Sequence, residues 1–201
     1  MKQAALAMSV SALFLFPIAA TAYPPAVGII GTSRDCSSCH QNNGPWADDS
    51  KTVVDIIAAD TGESLRQPDG TFLLEVERGT TRTVVTQIGR AANDDAPPPL
   101  RNAWLYLDPA QLETGSLSKF APGWSVNLPM ACRIVGDDVK TYPGASMTAL
   151  PMTVRPGDTG QDAELELQLM LTRGESNKGN PNAWLEGNYM VRKVILRVLD
   201  P

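Results

Sequence analysis

The sequence predicts an all-β protein, an antiparallel β-sandwich, on three observations. About eight short runs rich in Val, Ile, Leu and Thr follow one another from residue 51 onward. The chain's 16 glycines and 16 prolines fall largely between those runs, where turns belong. No apolar pattern at helical spacing runs long enough to give a helix a face to bury. There is no internal repeat.

Taken in order, residues 23–50 read as irregular, because Pro24, Pro25, Gly28, Gly31, Gly44 and Pro45 interrupt every period. Thr52 to Ala59 (TVVDIIAA) is a short apolar strand, closed by the turn Asp60-Thr61-Gly62. Thr71 to Glu77 (TFLLEVE) and Thr81 to Ile88 (TRTVVTQI) follow, and the short link Arg78-Gly79-Thr80 reads as a hairpin connection. Asn93 to Pro99 is a loop, and Ala103 to Leu107 (AWLYL) a fourth strand. Pro109 to Thr114 has room for one helical turn before Gly115. Cys132 to Val135 and Met147 to Val154 are strands between Pro/Gly-marked loops. In Glu164 to Thr172 (ELELQLMLT), Leu165, Leu167, Leu169 and Leu171 share one face against Glu164, Glu166 and Gln168 on the other. In Tyr189 to Leu199, Met190, Val194, Leu196 and Val198 share a face that Arg192 interrupts.

Ahead of this region lies an export signal. Lys2 supplies a positive start, Ala4 to Ala20 an apolar stretch, and Ala20-Thr21-Ala22 a small-x-small cleavage site. The stretch is shorter than a spanning helix wants and is interrupted at Phe16-Pro17. The expected organisation is therefore a signal peptide over 1–22, a cofactor-attachment segment over 23–50 and a β-sandwich over 51–201. The mature chain, Tyr23 to Pro201, is expected to be periplasmic or secreted and to carry no membrane span.

Composition excludes several functions. With 17 Lys+Arg against 22 Asp+Glu the formal charge is −5, unsuited to nucleic acid, whose phosphates require clustered cations. One histidine rules out a multi-histidine metal cage, and three cysteines are too few for a disulfide scaffold.

Two of those cysteines and the single histidine fall within five residues. Cys36-Ser37-Ser38-Cys39-His40 is C-x-x-C-H, the attachment signature of c-type haem. Thiols three positions apart reach the two vinyl groups of one porphyrin, and the adjacent imidazole is carried beneath the ring to ligate the iron. Structural zinc would need a second C-x-x-C or a histidine pair, and the sequence has neither. A thioredoxin-type dithiol expects a βαβ context, whereas this one precedes an all-β region. A plain Cys36–Cys39 disulfide is the remaining alternative. The signature implies one covalent haem c held by Cys36 and Cys39, with His40 as the proximal iron ligand. Cys132 is left over and reads as a small buried residue in a strand.

The chain lacks the terminal amphipathic helices of small cytochromes c. The stretch 22–31 (AYPPAVGIIG), the C-x-x-C-H and the strand ending Asp60-Thr61-Gly62 resemble exported bacterial proteins with a Reeler-like, choice-of-anchor β-sandwich. Such proteins usually carry an anchoring tail, and the sequence given ends at Pro201 after a strand. The chain is also similar, more weakly, to cytochrome f, a β-sandwich whose mature chain opens Tyr-Pro. That resemblance implies the α-amine of Tyr23 as distal iron ligand. A methionine thioether is the ordinary alternative. Met130, beside Pro129, is the preferred candidate, with Met147 and Met152 next, while Met170 and Met190 in the closing strands read as core.

Trp46 either walls the haem edge or packs on the first strand, and Arg34 offers a cation to a haem propionate. The acidic pairs in Asp48-Asp49 and Asn93-Asp94-Asp95 are solvated loops or docking sites for a basic partner. The expected function is one-electron transfer between redox protein partners rather than enzymatic catalysis. The alternatives are a five-coordinate haem that binds or senses a gas, and a binding module with structural haem.

Overall fold

Ten strands among the described residues build two sheets. The computed structural model describes residues 40–99, 101–107, 123–126, 132–134, 144–173 and 185–200, with 101–107 and 132–134 as backbone only. The strands are β1 (Gln41–Asn42), β2 (Thr52–Ala58), β3 (Phe72–Glu77), β4 (Arg82–Ala91) and β5 (Arg101–Leu107). They continue with β6 (Trp124–Val126), β7 (Cys132–Ile134), β8 (Ala145–Pro156), β9 (Ala163–Thr172) and β10 (Glu186–Leu199). One sheet runs β1-β10-β9-β5-β7 with β3 also on β10, and the other runs β2-β4-β8-β6. The architecture is the β-sandwich that the sequence pattern predicts.

The inner faces follow from alternation. Leu165, Leu167, Leu169 and Leu171 of β9 are all essentially inaccessible and meet Val54, Ile56, Val84, Ile88, Met152 and Val154 from the opposite sheet. Phe72, Leu74 and Val76 of β3 and Val194 and Leu196 of β10 complete that layer. Trp46 and Trp124 belong to the same core. Each large apolar side chain buried there contributes about 1.5–3 kcal/mol.

The expected hairpin between residues 71–77 and 81–88 does not form. From β2 to β9 the chain changes sheet at every connection, so β3 and β4 lie in different sheets. β3 instead pairs parallel with β10, from Val194↔Phe72 to Leu199↔Glu77, while β4 sits antiparallel between β2 and β8. The crossing is visible in two consecutive amides: Arg78 N–H donates to Leu199 O at 3.0 Å in one sheet, and Gly79 N–H to Pro156 O at 2.8 Å in the other. Gly79 turns the chain there with φ of +77°. The Arg78 guanidinium secures the corner, Nη1 reaching the carbonyls of Gly157, Asp158 and Gly160 at 3.1, 3.1 and 2.8 Å. Its Nε donates to Asp200 Oδ1 at 2.8 Å.

Two further departures are local. Residues 41–42, expected to be irregular, pair parallel with Glu186 and Gly187 of β10. Trp124–Val126 pairs with the end of β8 where the sequence shows no strand pattern. The possible turn over 109–114 lies outside the described residues.

Arg78→Ala is expected to lower stability by about 1–3 kcal/mol, because it orphans partly buried carbonyls at the corner. Arg78→Lys should recover only part of that, since an ammonium lacks the planar fork. Unchanged urea midpoints for both variants would show that the corner holds without the guanidinium.

Candidate functional site

The site is built outward from His40. This residue is half-buried and stands immediately before β1. The chain after it is clamped to the sandwich at nearly every step. Asn42 Oδ1 accepts from the Tyr189 amide at 3.0 Å and from Asn188 Nδ2 at 3.3 Å. Gly44 N–H donates to Gly187 O at 2.7 Å. A Cβ at Gly44 would lie 2.8 Å from Asn188 Oδ1 and 2.9 Å from the Gly187 carbonyl carbon, so only glycine allows this approach. Trp46 N–H then donates to Asn188 Oδ1 at 2.7 Å, and its indole Nε1–H to Pro97 O at 2.7 Å. With no exposed surface, Trp46 is a core residue that staples this run to the 93–99 loop.

A buried arginine completes the clamp. Arg90, at the end of β4, is 3% exposed. Its Nη1 donates to Asp48 O at 2.8 Å, to Thr52 Oγ1 at 2.6 Å and more loosely to Trp46 O at 3.4 Å, while Nε donates to Asp94 Oδ2 at 2.7 Å. A cation taken out of water needs such a partner set to offset its desolvation. One side chain thus ties the run after His40 to the sandwich and to the 93–99 loop.

Three carboxylates of the two acidic clusters have local partners. Asp94 is ion-paired to Arg90, Asp49 to Arg192, and Asp48 Oδ1 accepts from Ser50 Oγ at 2.6 Å and Ser50 N at 3.0 Å. Those two hydrogen bonds hold the Asp48 carboxyl below the ordinary carboxylate value.

Along β10, β1 ends opposite Gly187 and β3 begins opposite Val194. The strip between them borders a cleft of about 360 Å³, walled by Asn42, Ala47 and Asp49 across from residues 188–192. Val191 is exposed there, at 37%.

Of the residues named from sequence, His40 is described, whereas Cys36, Cys39, Arg34, Tyr23 and Met130 lie outside the described residues. Cys132 opens β7, paired with Ala103 of β5. Met152 is sealed in the inter-sheet core, and Met190 is partly buried against it. Met147 and Met170 are fully buried but take no part in that core. Alternation puts each on the outer face of its sheet, and each sulfur lies where a glycine Cβ would be: Met147 Sδ 2.6 Å from that position at Gly89, Met170 Sδ 2.6 Å from it at Gly187. Sequence reasoning missed the Arg90 hub, whose only linear signal is Asp94 four residues downstream. Among the described residues no group of three or more His, Cys, Asp or Glu is placed to hold a metal ion.

No protein-family profile and no curated protein matches the chain. Solved structures resemble it only distantly. A PapD-like domain of human CEP192 is 9% identical with a TM-score of 0.35, over 78% of this chain and 92% of that one. AvmM, described as catalysing macrocyclization in alchivemycin A biosynthesis, is 8% identical with a TM-score of 0.36, over 73% and 89%. A family 123 glycoside hydrolase from Clostridium perfringens is 8% identical with a TM-score of 0.32, over 75% of this chain and 28% of that one.

Arg90 makes the site acid-sensitive. Its hydrogen bond keeps the Asp94 carboxyl below the ordinary value of 3.8. The ionised form is therefore favoured in the folded state. Its contribution is fully present above the unfolded value and is lost as pH falls through the lower folded one. Asp94→Asn is expected to cost about 3–5 kcal/mol near neutral pH, by leaving Arg90 buried without its counter-charge. The same variant should flatten the fall in stability below pH of about 4. Urea unfolding across pH checks both; an Asp94→Asn profile parallel to the unmutated protein would contradict the pairing.

Proposed function

We propose that this chain is an extracytoplasmic, monohaem c-type cytochrome that carries single electrons between redox protein partners, an electron carrier rather than an enzyme. The observation that carries this reading is Cys36-Ser37-Ser38-Cys39-His40, which contains the chain's only histidine and lies downstream of an export signal over 1–22. Among the described residues no helix is long and apolar enough to cross a membrane.

When bound, the haem supplies a one-electron iron couple. The chain's own residues attach and position it. Cys36 and Cys39 would hold the haem as thioethers, each thiol's S–H adding across a vinyl C=C with no net oxidant needed, and His40 would offer an imidazole nitrogen to the iron. The donor set suits haem, because an imidazole, His40, directly follows two thiols three positions apart. The clamped chain after His40, from the Asn42 bonds to Arg90, supports the same reading: a rigid ligand backbone limits reorganisation on electron transfer. The 360 Å³ cleft beginning two residues from His40 supplies adjoining concave surface, with Arg192 paired to Asp49 at its wall.

The test is covalent attachment. Exported protein produced with c-type haem-attachment machinery should stain for haem on a denaturing gel, and Cys36→Ala with Cys39→Ala should abolish the stain completely. Retained covalent haem in the double variant would refute the assignment, since Cys132 is the one other thiol.

A further inference from the structure

We propose that the stretch of β10 between β1 and β3 is a docking site for an extended, uncharged segment of a partner protein, which adds there as an edge strand. β1 reaches Gly187 and β3 begins at Val194, so residues 188–193 have no strand neighbour on that edge among the described residues. Alternation fixes which backbone groups face it. Gly187 O accepts from Gly44 N–H at 2.7 Å, Tyr189 N–H donates to Asn42 Oδ1 at 3.0 Å, and Leu199 O accepts from Arg78 N–H at 3.0 Å, all on this edge. The register with β9 runs without a break from Gly187 to Leu196. The odd-numbered residues therefore turn their amides and carbonyls to this edge, Val191 and Lys193 included. Neither of those two amides has an acceptor among the described residues. Val191 O is met there only by its neighbour's guanidinium, Arg192 Nη1 at 3.0 Å.

The gap selects its occupant. Residues 188–193 span about 20 Å of extended chain, closed at both ends by strands that stand one strand spacing further out. A second copy of this chain does not fit. Its β10 carries the same flanking strands, and bringing two strips to pairing distance would drive the flanking strands of one copy into those of the other. A partner's loop tip or chain end fits, because it can enter and leave away from the sheet. The walls set its composition. Arg192 is paired with Asp49 and Lys193 with Glu164, so a charged side chain would arrive here without a counter-charge. Val191, 37% exposed, lies on the same outer face as Tyr189 and suits an apolar, β-branched residue across from it. On the other face the cleft of about 360 Å³, with Ala47 and Asp49 across from β10, has room for small polar side chains. Main-chain hydrogen bonds supply the attachment and alternate side chains the selectivity. The incoming amide takes the place of Arg192 Nη1 on Val191 O. Nothing in this inference requires the haem.

The experiment titrates the exported chain into an end-capped six-residue peptide of alternating serine and valine, carrying a fluorescent label on a flexible linker. Fluorescence anisotropy reads affinity and amide hydrogen exchange reads location. Saturable binding is expected, with exchange of the Val191 and Lys193 amides slowed in the complex. Methylating the peptide amides one at a time should give two alternating classes. Those facing β10 should lose roughly tenfold in affinity, and those facing solvent should keep it. Val191→Pro removes one donor at an edge position where proline is tolerated, and should also weaken binding roughly tenfold. Far-ultraviolet circular dichroism verifies its fold, and the methylation series decides the matter if that variant does not fold. Absence of saturable binding at millimolar peptide overturns the proposal, as do equal effects of methylation at every position. Val191 and Lys193 amides already protected in the free protein would overturn it too, since a segment of this chain would then occupy the strip. So would concentration-dependent dimerisation that Val191→Pro abolishes, which makes a second copy the occupant.

Discussion

The shared edge of β10 is the constraint on which the rest of the molecule depends. This strand is 14 residues long, and β9 occupies one of its edges through ten register pairs. The other edge is divided: Glu186 and Gly187 take β1, the strand that follows His40, and Val194 to Leu199 take β3. Both of these pairings are parallel, whereas the other strand pairings among the described residues are antiparallel. β1 and β3 take successive stretches of that one edge, and the chain between them builds all of β2 in the opposite sheet.

Local clamps follow from that division. Because β1 is only two exposed residues, its pairing alone would be marginal. Asn188 and Arg90 supply the missing hold, one bonding Asn42 and the Trp46 amide, the other the carbonyls of Trp46 and Asp48. The result is a short segment that behaves as part of the sandwich, and His40 enters it directly. Glycine at 44 and 187 permits the close approach of these backbones, and at 187 the freed volume is taken by the Met170 sulfur.

The fold class was legible because burial in a sandwich imposes a period of two. The run 164–172 shows it most clearly, and its four leucines are those that fill the core. The strand at 52–58 was read within one residue, since its apolar run ends at a Gly-containing turn. The link 78–80 misled because a short Gly-containing connection between two strands has the same local chemistry whether the strands pair or cross to opposite sheets. What decides between those outcomes is non-local: Leu199 and Pro156 accept from adjacent amides. β1 was invisible for a related reason, as two exposed polar residues show no period and pair only because an edge is offered. The hub at Arg90 escaped because a charged residue ending a strand ordinarily projects into solvent. The C-x-x-C-H motif was readable from the sequence alone, since its chemistry rests on spacing and not on fold.

Covalent haem on Cys36 and Cys39, as proposed, is tested most directly by the intact mass of the protein exported in the presence of haem-attachment machinery. The expected mass is that of a chain beginning at Tyr23 and heavier by one haem, with the added mass mapping to the peptide that contains Cys36 and Cys39. An exported chain at the mass of the bare polypeptide, or lighter by the two hydrogens of a Cys36–Cys39 disulfide, would contradict it.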